Sequence, residues 1–382
     1  MRKIFANLSM MLVALVAMTS CQKPDPKIEA LRKAISVAEY QLKHSAAEFA
    51  DVQDSSRLFP RSYKDGNIRG VGAHDWTSGF FPGSLWIGYQ LTGDEALKAE
   101  AEKFTARLNQ IPFYTKTHDL GFMIFCSYGM QQAILGDEAS AEAIVEAAKS
   151  LSSRCREEIG LIRSWDFGKW NYPVIIDNMM NLEMLEWVGG YDEITRSHAY
   201  TTIKNHFRDD YSTYHVVAYN ELTGEVVEKR TAQGVSDDSA WARGQAWGLY
   251  GYTMMYRMTG DETYLTQAVK IADYLIPRLP ADAVPNWDYD AEHQQKDSSS
   301  ASIMASALIE LYGFTQNETY LATAERQLRS LSSEEYLAKV GENGNFLLKH
   351  GTGHLPGKSE IDVPLSYGDY YFIEAAMRYL AL

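Results

Sequence analysis

The strongest constraint on the fold is a pattern that occurs five times along the chain: an apolar helical segment, a tight turn and an amphipathic helical segment. Turns of the form GDE, YDE or QNE supply Gly or Asn to end one helix and an acid or amide to begin the next. We therefore predict a chain built from helix pairs. The five pairs span residues 80–108, 122–151, 178–207, 243–276 and 300–331.

The polarity of the paired segments predicts two layers of helices. The first segment of each pair is apolar nearly all round, as in a buried inner helix, and the second has its charges on one face, as in an outer helix. A sixth inner segment, 368–382, ends the chain without an outer partner, and a helix from 28 to about 50 can supply one. We predict an all-α fold, an (α/α)6 barrel of six inner and six outer helices. The alternative is an open solenoid, which the complementary half-units at the two ends disfavour.

The segments that lead from an outer helix back to an inner helix are long, and we expect them to lie together at one end of the barrel. Long loops on a rigid scaffold are where functional sites are built. An acid near the start of an inner helix is either an N-cap or, where several acids share a cleft, a carboxyl group with a raised pKa. The acids in such positions are Asp75, Asp119, Asp177, Asp237 or Asp238, Asp297 and Asp369.

The N-terminus has the features of an export signal. Residues 1–20 begin with basic residues and contain an apolar stretch, which predicts a signal peptide. Cys21 directly after it resembles the acylated cysteine of a bacterial lipobox; the alternative is an ordinary signal with Cys21 incidental. We expect a membrane-anchored lipoprotein facing the periplasm, with 21–27 as a tether and 28–382 as a single catalytic domain.

Composition excludes some classes of function. With 36 Lys and Arg against 50 Asp and Glu, the net charge of −14 argues against nucleic acid as a partner. An anionic substrate would need a few local cations. Cys126 and Cys155 match no zinc or redox spacing, although whether they pair is left open, and the nine His have no metal-ligand spacing. We expect no metal and no cofactor.

Seven blocks in order resemble the unsaturated glucuronyl hydrolases, glycoside hydrolase family 88, from about Trp76 to the C-terminus. Four of them are HDLGF (118–122), VIIDNMMNLEML (174–185), STYH (212–215) and QGVSDDSAWARGQAWGLYGY (233–252). The other three are SGFFPGSLW (78–86), DSSSASI (297–303) and YGDYYFIEAAMRY (367–379). The resemblance implies an (α/α)6 barrel. It also implies a hydrolase that removes the 4,5-unsaturated uronic acid from the non-reducing end of lyase-generated oligosaccharides, with glycosaminoglycan disaccharides as the expected substrates.

The resemblance also implies roles for individual residues. The family hydrates the double bond, and its acid/base aspartate matches Asp177, which would donate a proton to carbon and then act as base. Asp119 would hold sugar hydroxyls and help to keep Asp177 protonated. Arg243 would bind the uronate carboxylate with two hydrogen bonds, with a structural ion pair as the alternative. The other matched binding positions are His215, Gln233, His118 and Trp165. Trp241 and Trp247 would stack on a sugar ring or else lie in the core. A tryptophan of the family falls near Phe81, which is the last matched position.

Three other functions are compatible with such a scaffold. They are an unsaturated rhamnogalacturonyl hydrolase acting on pectin fragments, an inverting glycosidase that cleaves directly, and a non-catalytic, lipid-anchored glycan-binding protein. The leaving sugar, its sulfation and the oligomeric state are not determined by the sequence. Candidate contacts for the leaving sugar, or else ordinary solvated surface, are Lys349, His350, His354, Lys358 and Ser359.

Overall fold

The structure is a computed structural model that describes residues 26–292 and 295–382. The predicted signal peptide, Cys21 and residues 22–25 of the predicted tether lie outside the described residues. Helix α1 spans Pro26–Phe49, so the last two residues assigned to the tether, Pro26 and Lys27, belong to the first helix instead. No helix of the described part is long and apolar enough to cross a membrane.

Six outer helices alternate with six inner ones in this part of the chain. The outer helices are α1, α3 (Glu95–Ala106), α5 (Glu138–Ser152), α7 (Asp192–His206), α9 (Glu262–Leu275) and α11 (Glu318–Leu331). The inner helices are α2 (Phe80–Thr92), α4 (Met130–Leu135), α6 (Leu182–Val188), α8 (Ala242–Thr259), α10 (Ser298–Thr315) and α12 (Ser366–Leu380). A π-helix, Gly121–Gly129, leads into α4, and a 3-10 helix, Ile176–Asn181, leads into α6.

Helix contacts close the barrel. Neighbouring inner helices pack against each other, with the π-helix before α4 making the contact to α6, and α12 packs against α2, so the inner ring is continuous. On the outside, α1 contacts both α3 and α11 and fills the gap between the two ends of the chain. The predicted (α/α)6 barrel is therefore confirmed, and the open solenoid is wrong.

The turns within helix pairs explain how each inner helix stops. Gly93, Gly136 and Gly260 follow α2, α4 and α8 with φ of 72°, 68° and 71°, a conformation that glycine adopts without steric cost. The next residue caps the following outer helix, as Asp94 does by accepting from the Ala96 N–H. In the fifth turn it is Gln316, with φ of 55°, that ends the inner helix, whereas Asn317 begins the outer one.

Short strands, which the sequence analysis did not predict, order the long segments. They are β1 (Phe59–Lys64), β2 (Asn67–Val71), β3 (Cys155–Arg156), β4 (Leu161–Ile162), β5 (Tyr172–Ile175), β6 (Val216–Tyr219), β7 (Val226–Arg230), β8 (Gly351–His354) and β9 (Ser359–Val363). Further 3-10 turns lie at Ile111–Phe113, Ile276–Arg278 and Asn343–Asn345. Strands β5, β6 and β7 form one antiparallel sheet in which Ile175 pairs with Val216. This pairing brings Asp177, two residues after Ile175, and His215, next to Val216, to the same end of the sheet.

Both described cysteines are free. Cys126 lies in the π-helix and packs against the core, and Cys155 lies in β3. Burial raises the pKa of each thiol, which disfavours the reactive thiolate. Neither residue is therefore a candidate nucleophile.

Candidate active site

Asp177 is a buried acid in the 3-10 helix that leads into α6. Asp177 is 8 % exposed. Burial raises the pKa of its carboxyl to about 7, and the negative charge of Asp119 makes a smaller contribution in the same direction. Arg243 acts in the opposite direction, but its effect is smaller than that of burial. No side chain caps this helix, so the N-cap interpretation does not hold for Asp177. The acid is therefore protonated over much of the acidic and neutral range.

Asp119 precedes the π-helix and is held by its own neighbours. The Thr117 hydroxyl donates to Asp119 Oδ2 at 2.7 Å, and His118 Nε2 lies 3.2 Å from Asp119 Oδ1. His118 is buried, and burial lowers the pKa of its imidazole, so the ring is neutral. Met123 N–H donates to the Asp119 carbonyl, which fixes the acid at the start of the helix. Asp119 is thus a partly buried acid that its own neighbours hold in place.

The other acids near inner-helix starts serve the protein itself. Asp297 caps α10 by accepting from Ser299 N–H, and Asp75 accepts both Nη1 hydrogen bonds from Arg61. Asp237 pairs with Arg230. Burial raises the pKa of Asp369 to about 7 as well, but its two oxygens accept from the backbone N–H groups of residues 347 and 348. Asp177 and Asp119 are the pair that remains for chemistry.

His215 faces Asp177 as a neutral donor of defined tautomer. Its Nδ1 accepts two backbone hydrogen bonds, from Ala232 N at 3.0 Å and Gln233 N at 3.2 Å, so the ring proton must be on Nε2. Burial lowers the pKa of His215 to about 3, with Arg243 adding to the effect. Nε2 lies 3.9 Å from Asp177 Oδ2, and neither atom has a hydrogen-bond partner among the described residues.

Arg243 is not available as the predicted clamp. Its Nη1 donates to Asp297 Oδ2 and to the Thr352 carbonyl, and its Nη2 donates to Gln233 Oε1 and to the Gly353 carbonyl. All four terminal hydrogens are therefore used within the protein, and the residue is 2 % exposed. The structure supports the ion-pair alternative. The contact with Gln233 has a further effect, because an amide whose oxygen accepts from Arg243 must direct its NH2 group elsewhere.

The two tryptophans of the same block are buried rather than presented for stacking. Trp241 is 3 % exposed and lies between His215, at 4.5 Å between ring centroids, and the Arg243 guanidinium, at 4.6 Å. Trp247 is fully buried against Phe122 and Tyr371. The predicted stacking faces are not exposed. The Trp247 indole N–H is close enough to Asp177 to lower the pKa of that carboxyl, although it makes no full hydrogen bond to any described residue.

Phe81 does not face the cleft in this structure, whereas the nearby Trp76 packs beside Phe122. Phe81 is 5 % exposed and packs edge-on against Phe104 of α3 at 4.9 Å, so it faces the outer layer. Trp76, before α2, is half-buried and lies over Tyr367 at 4.9 Å and beside Phe122 at 5.6 Å. Half a helical turn separates the inward and outward faces of α2, and the sequence pattern of this nearly all-apolar helix does not distinguish them.

Trp165 lies at the edge of the site, in the loop between β4 and β5. Its backbone pairs with Thr117, two residues from Asp119, and the preceding Ser164 carbonyl accepts from the His118 N–H at 3.1 Å. The ring is half-buried and stacks on Phe167 at 5.6 Å. Its predicted place beside the site is consistent with these contacts.

Three of the five candidate contacts for the leaving sugar are bonded within the protein, and the other two lie at the tip of a hairpin. Lys349 donates to the Glu334 carbonyl and His350 pairs with Asp362, so both are engaged away from the cleft. His354 holds the Ala232 carbonyl beside Gln233. Lys358 is exposed at the hairpin tip between β8 and β9, and the adjacent Ser359 hydroxyl accepts from Arg69 at 3.4 Å. Arg69, which the sequence analysis missed, has a half-exposed side chain.

Buried polar atoms without partners gather around Asp177. They include the Asp177 Oδ2, His118 Nδ1, Asn178 Oδ1, Asn181 Nδ2, His215 Nε2 and Trp247 Nε1 atoms. Buried polar groups are normally hydrogen-bonded, so a cluster of this kind marks a place where water or a ligand completes the bonding. Among the described residues, no group of three or more His, Cys, Asp or Glu could hold a metal ion. The arrangement suits proton transfer to a polar ligand.

Comparisons with known proteins agree with this geometry. No protein-family model matches the chain. The unsaturated glucuronyl hydrolase of Formosa agariphila is 45% identical over 338 residues, which is 84% of this chain and 84% of that protein. The unsaturated chondroitin disaccharide hydrolase of Streptococcus agalactiae is 33% identical over 92% of both chains. A crystal structure of an unsaturated glucuronyl hydrolase specific for heparin superposes with a TM-score of 0.88 at 46% identity, covering 92% of this chain and 97% of that one.

Proposed function

Because the chain belongs to the unsaturated glucuronyl hydrolases, we propose that it removes the 4,5-unsaturated uronic acid from the non-reducing end of lyase-generated oligosaccharides. The observation that carries the proposal is the Asp177 carboxyl, which is buried, has a pKa of about 7 and has an oxygen without a partner. Such a group is a proton donor near neutral pH. The neighbouring Asp119 carboxylate accounts for part of its proton affinity.

The reaction is the addition of water to the double bond. Asp177 gives its proton to carbon 4, which leaves positive charge on carbon 5 and the ring oxygen. A water molecule adds its oxygen to carbon 5 and returns a proton to Asp177, so that the net change is one water added. The resulting hemiketal opens and releases the rest of the oligosaccharide. One carboxyl group thus acts first as acid and then as base.

The site offers neutral donors for the uronate carboxylate. His215 has a proton fixed on Nε2, Gln233 has its NH2 group turned away from Arg243, and Trp247 has a free indole N–H. The Arg243 charge is compensated by Asp297 at 3.0 Å. An uncompensated guanidinium would repel the positive charge that develops on carbon 5 in the transition state. Preorganised neutral N–H dipoles can bind the carboxylate with less of this repulsion. This arrangement favours the transition state over the bound substrate.

A glycosaminoglycan disaccharide is the proposed substrate. Relatives named for chondroitin disaccharides and for heparin support this class, as do the cations near the hairpin tip. Lys358 is exposed there, and Arg69 lies beside Ser359. A sulfate or a second carboxylate on the leaving sugar would be attracted to Lys358 in a protein with a net charge of −14, whereas the charge of Arg69 is offset by Glu360 at 3.2 Å.

The test is a panel of lyase-made unsaturated disaccharides, plain and sulfated, followed by loss of the ultraviolet absorbance of the double bond. An unsaturated rhamnogalacturonan disaccharide and a saturated disaccharide are the controls, and we expect neither to be turned over efficiently. In heavy water containing oxygen-18, deuterium should appear on carbon 4 and the label on carbon 5. Label on carbon 1 would exclude the hydration mechanism and indicate direct cleavage instead.

We also propose that the protein is exported and anchored by a lipid on Cys21, facing the periplasm. The support is in the sequence: a basic start, an apolar stretch and small residues directly before Cys21. The segment that follows, residues 22–25, is short and polar, which suits a tether. A periplasmic site would bring the enzyme to oligosaccharides that lyases release outside the cytoplasm.

A further inference from the structure

Three aromatic residues form a partly exposed surface at the edge of the active site, and the family resemblance accounts only for Trp165. They are Trp165, Phe167 and Trp170, all in the loop between β4 and β5, and we call this surface the rim platform. Phe167 is 72 % exposed, and its ring stacks nearly parallel to Trp165 with an interplanar angle of 19°. Trp170 lies 6.1 Å from Trp165. Leaving apolar area of this kind in water is unfavourable, so a contiguous aromatic patch is a candidate ligand-binding surface.

Hydrogen bonds to several neighbouring elements hold the loop. Asp166, between two of the platform residues, accepts two hydrogen bonds from the buried Arg154, at 3.0 and 2.9 Å. Arg163 donates to the Trp165 carbonyl at 3.0 Å, and the Trp170 indole donates to Glu228 of β7. The aromatic faces are therefore positioned before any ligand arrives. A surface ordered in advance loses less conformational entropy on binding.

The platform is continuous with the active site and carries local positive charge. Trp165 pairs through its backbone with Thr117, whose hydroxyl donates to Asp119. The Lys169 ammonium lies 5.1 Å from the Trp170 ring centroid. Within the described residues, neither Lys169 nor the exposed Lys116, whose charge lowers the pKa of Asp166, lies in an ion pair. The acids on which these two charges act, Asp166, Glu228 and Asp237, are each paired with an arginine. An anionic sugar chain that leaves the cleft at Asp119 would therefore meet aromatic faces flanked by two ammonium groups that lie in no ion pair with any residue the structure describes.

We propose that the rim platform is a second sugar-binding site, which takes the sugars beyond the first two of an unsaturated, anionic oligosaccharide. The proposal rests on the proposed function for the identity of the substrate. Pyranose rings present a flat C–H face to which an aromatic ring can pack, and carboxylate or sulfate groups on the same sugars suit Lys169 and Lys116. The ligand class is thus an acidic tetrasaccharide rather than a disaccharide.

The test compares unsaturated di- and tetrasaccharides from one lyase digest. In Phe167→Ser, KM for the tetrasaccharide should rise about three- to tenfold, the range expected for one lost aromatic contact, and kcat should change little. The disaccharide constants should change less than twofold. Phe314→Ser is the matched control, because Phe314 is an exposed phenylalanine in the last turn of α10, at the opposite end of the barrel. It should leave both substrates unchanged.

Binding measured without turnover separates this proposal from the proposed function. Calorimetry on Asp177→Asn should show tighter binding of the tetrasaccharide than of the disaccharide, and the added Phe167→Ser change should abolish the difference. If neither substrate is turned over by the natural protein but this difference is found, the proposed function fails and the platform stands. Equal binding of the two oligosaccharides, or an equal loss for both in Phe167→Ser, would overturn the platform.

Discussion

Asp177 and His215 face each other with Oδ2 and Nε2 separated by 3.9 Å, and both atoms are buried without a partner among the described residues. The gap is too long for a direct hydrogen bond, yet one oxygen atom can lie within hydrogen-bond distance of both. His215 can only donate to that oxygen, because its Nδ1 accepts from the backbone. Asp177 can donate before the proton transfer and accept after it. The pair therefore defines where a substrate or water oxygen is held.

Asp177→Asn should abolish turnover and stabilise the protein. Asparagine keeps the size of the side chain but cannot protonate carbon, so kcat should fall on the order of a thousandfold or more. The ordinary pKa of 3.8 is raised to about 7 by burial. As pH rises from about 4 to about 7, the unfolded chain loses this proton while the folded protein keeps it, so the free energy of unfolding of the natural protein falls across that window. The variant should avoid this loss.

Thermal unfolding and kinetics at pH 5 and pH 8 check both parts of that prediction. The gain in Tm from Asp177→Asn should be larger at pH 8 than at pH 5. Asp369→Asn is the matched control at pH 5, where its own raised pKa contributes least: Asp369 is equally buried but accepts two backbone hydrogen bonds, and its replacement should lower Tm at that pH. A lower Tm for Asp177→Asn at pH 8 would contradict the account of an uncompensated buried carboxyl.

Asp119→Asn should move the alkaline limb of the pH–rate profile to lower pH. The reaction needs protonated Asp177, so activity is lost as pH rises through the pKa of that group. Removal of the nearby negative charge lowers this pKa, by less than about one unit, since burial is the larger cause. The profile of kcat against pH measures the shift. An alkaline limb that stays in place would show that the two carboxyl groups are not coupled.

Arg243→Lys should lower Tm as well as kcat/KM. Lysine keeps the charge for Asp297 but cannot replace all four hydrogen bonds to Asp297, Gln233 and the β8 carbonyls, and buried acceptors left without donors cost about 1–3 kcal/mol each. A pure carboxylate clamp would affect KM alone. Denaturant unfolding and steady-state kinetics on the same preparation distinguish the two, and a raised KM with unchanged stability would restore the clamp.

Trp76→Ala and Phe81→Ala should have opposite effects. Trp76 is half-buried beside Phe122 at the mouth of the site, so its removal should lower kcat/KM about three- to tenfold with a modest effect on stability. Phe81 is packed against Phe104, and its removal should lower the free energy of unfolding by about 3–5 kcal/mol with KM little changed. If the kinetic loss occurred in the Phe81 variant instead, the assignment of the two aromatics would be reversed.

Cys21→Ala should release the protein from the membrane fraction or block its processing. The thiol is the only group in the signal region that can carry the thioether-linked lipid, and without it the polar residues that follow cannot hold the chain at a bilayer. Fractionation and mass spectrometry of the mature N-terminus measure the outcome. Recovery of the natural protein wholly soluble and without lipid would contradict the anchor.

Much of the barrel could be predicted from the sequence. The fully apolar character of one helix in each pair, and glycine or a capping acid at turns such as Gly93 and Asp94, are local properties that need no knowledge of neighbours. The unpaired helices at the two ends also predicted closure correctly. Within the site, Asp177 and Asp119 were identified because the blocks that contain them resemble a known family, and the apolar residues before Asp177 correctly predicted its burial.

Only the tertiary structure decided how each polar group is used. Whether Arg243 binds substrate or Asp297 depends on a residue 54 positions away and on two carbonyls of β8, and no local pattern encodes such partners. The tautomer of His215 depends in the same way on the backbone of residues 232 and 233. The tertiary structure also decided that Phe81 faces the outer layer, because an all-apolar helix does not show which face is inward. Sequence determines which groups are present and how each helix begins and ends, whereas burial and hydrogen bonding are properties of neighbours that only folding brings together.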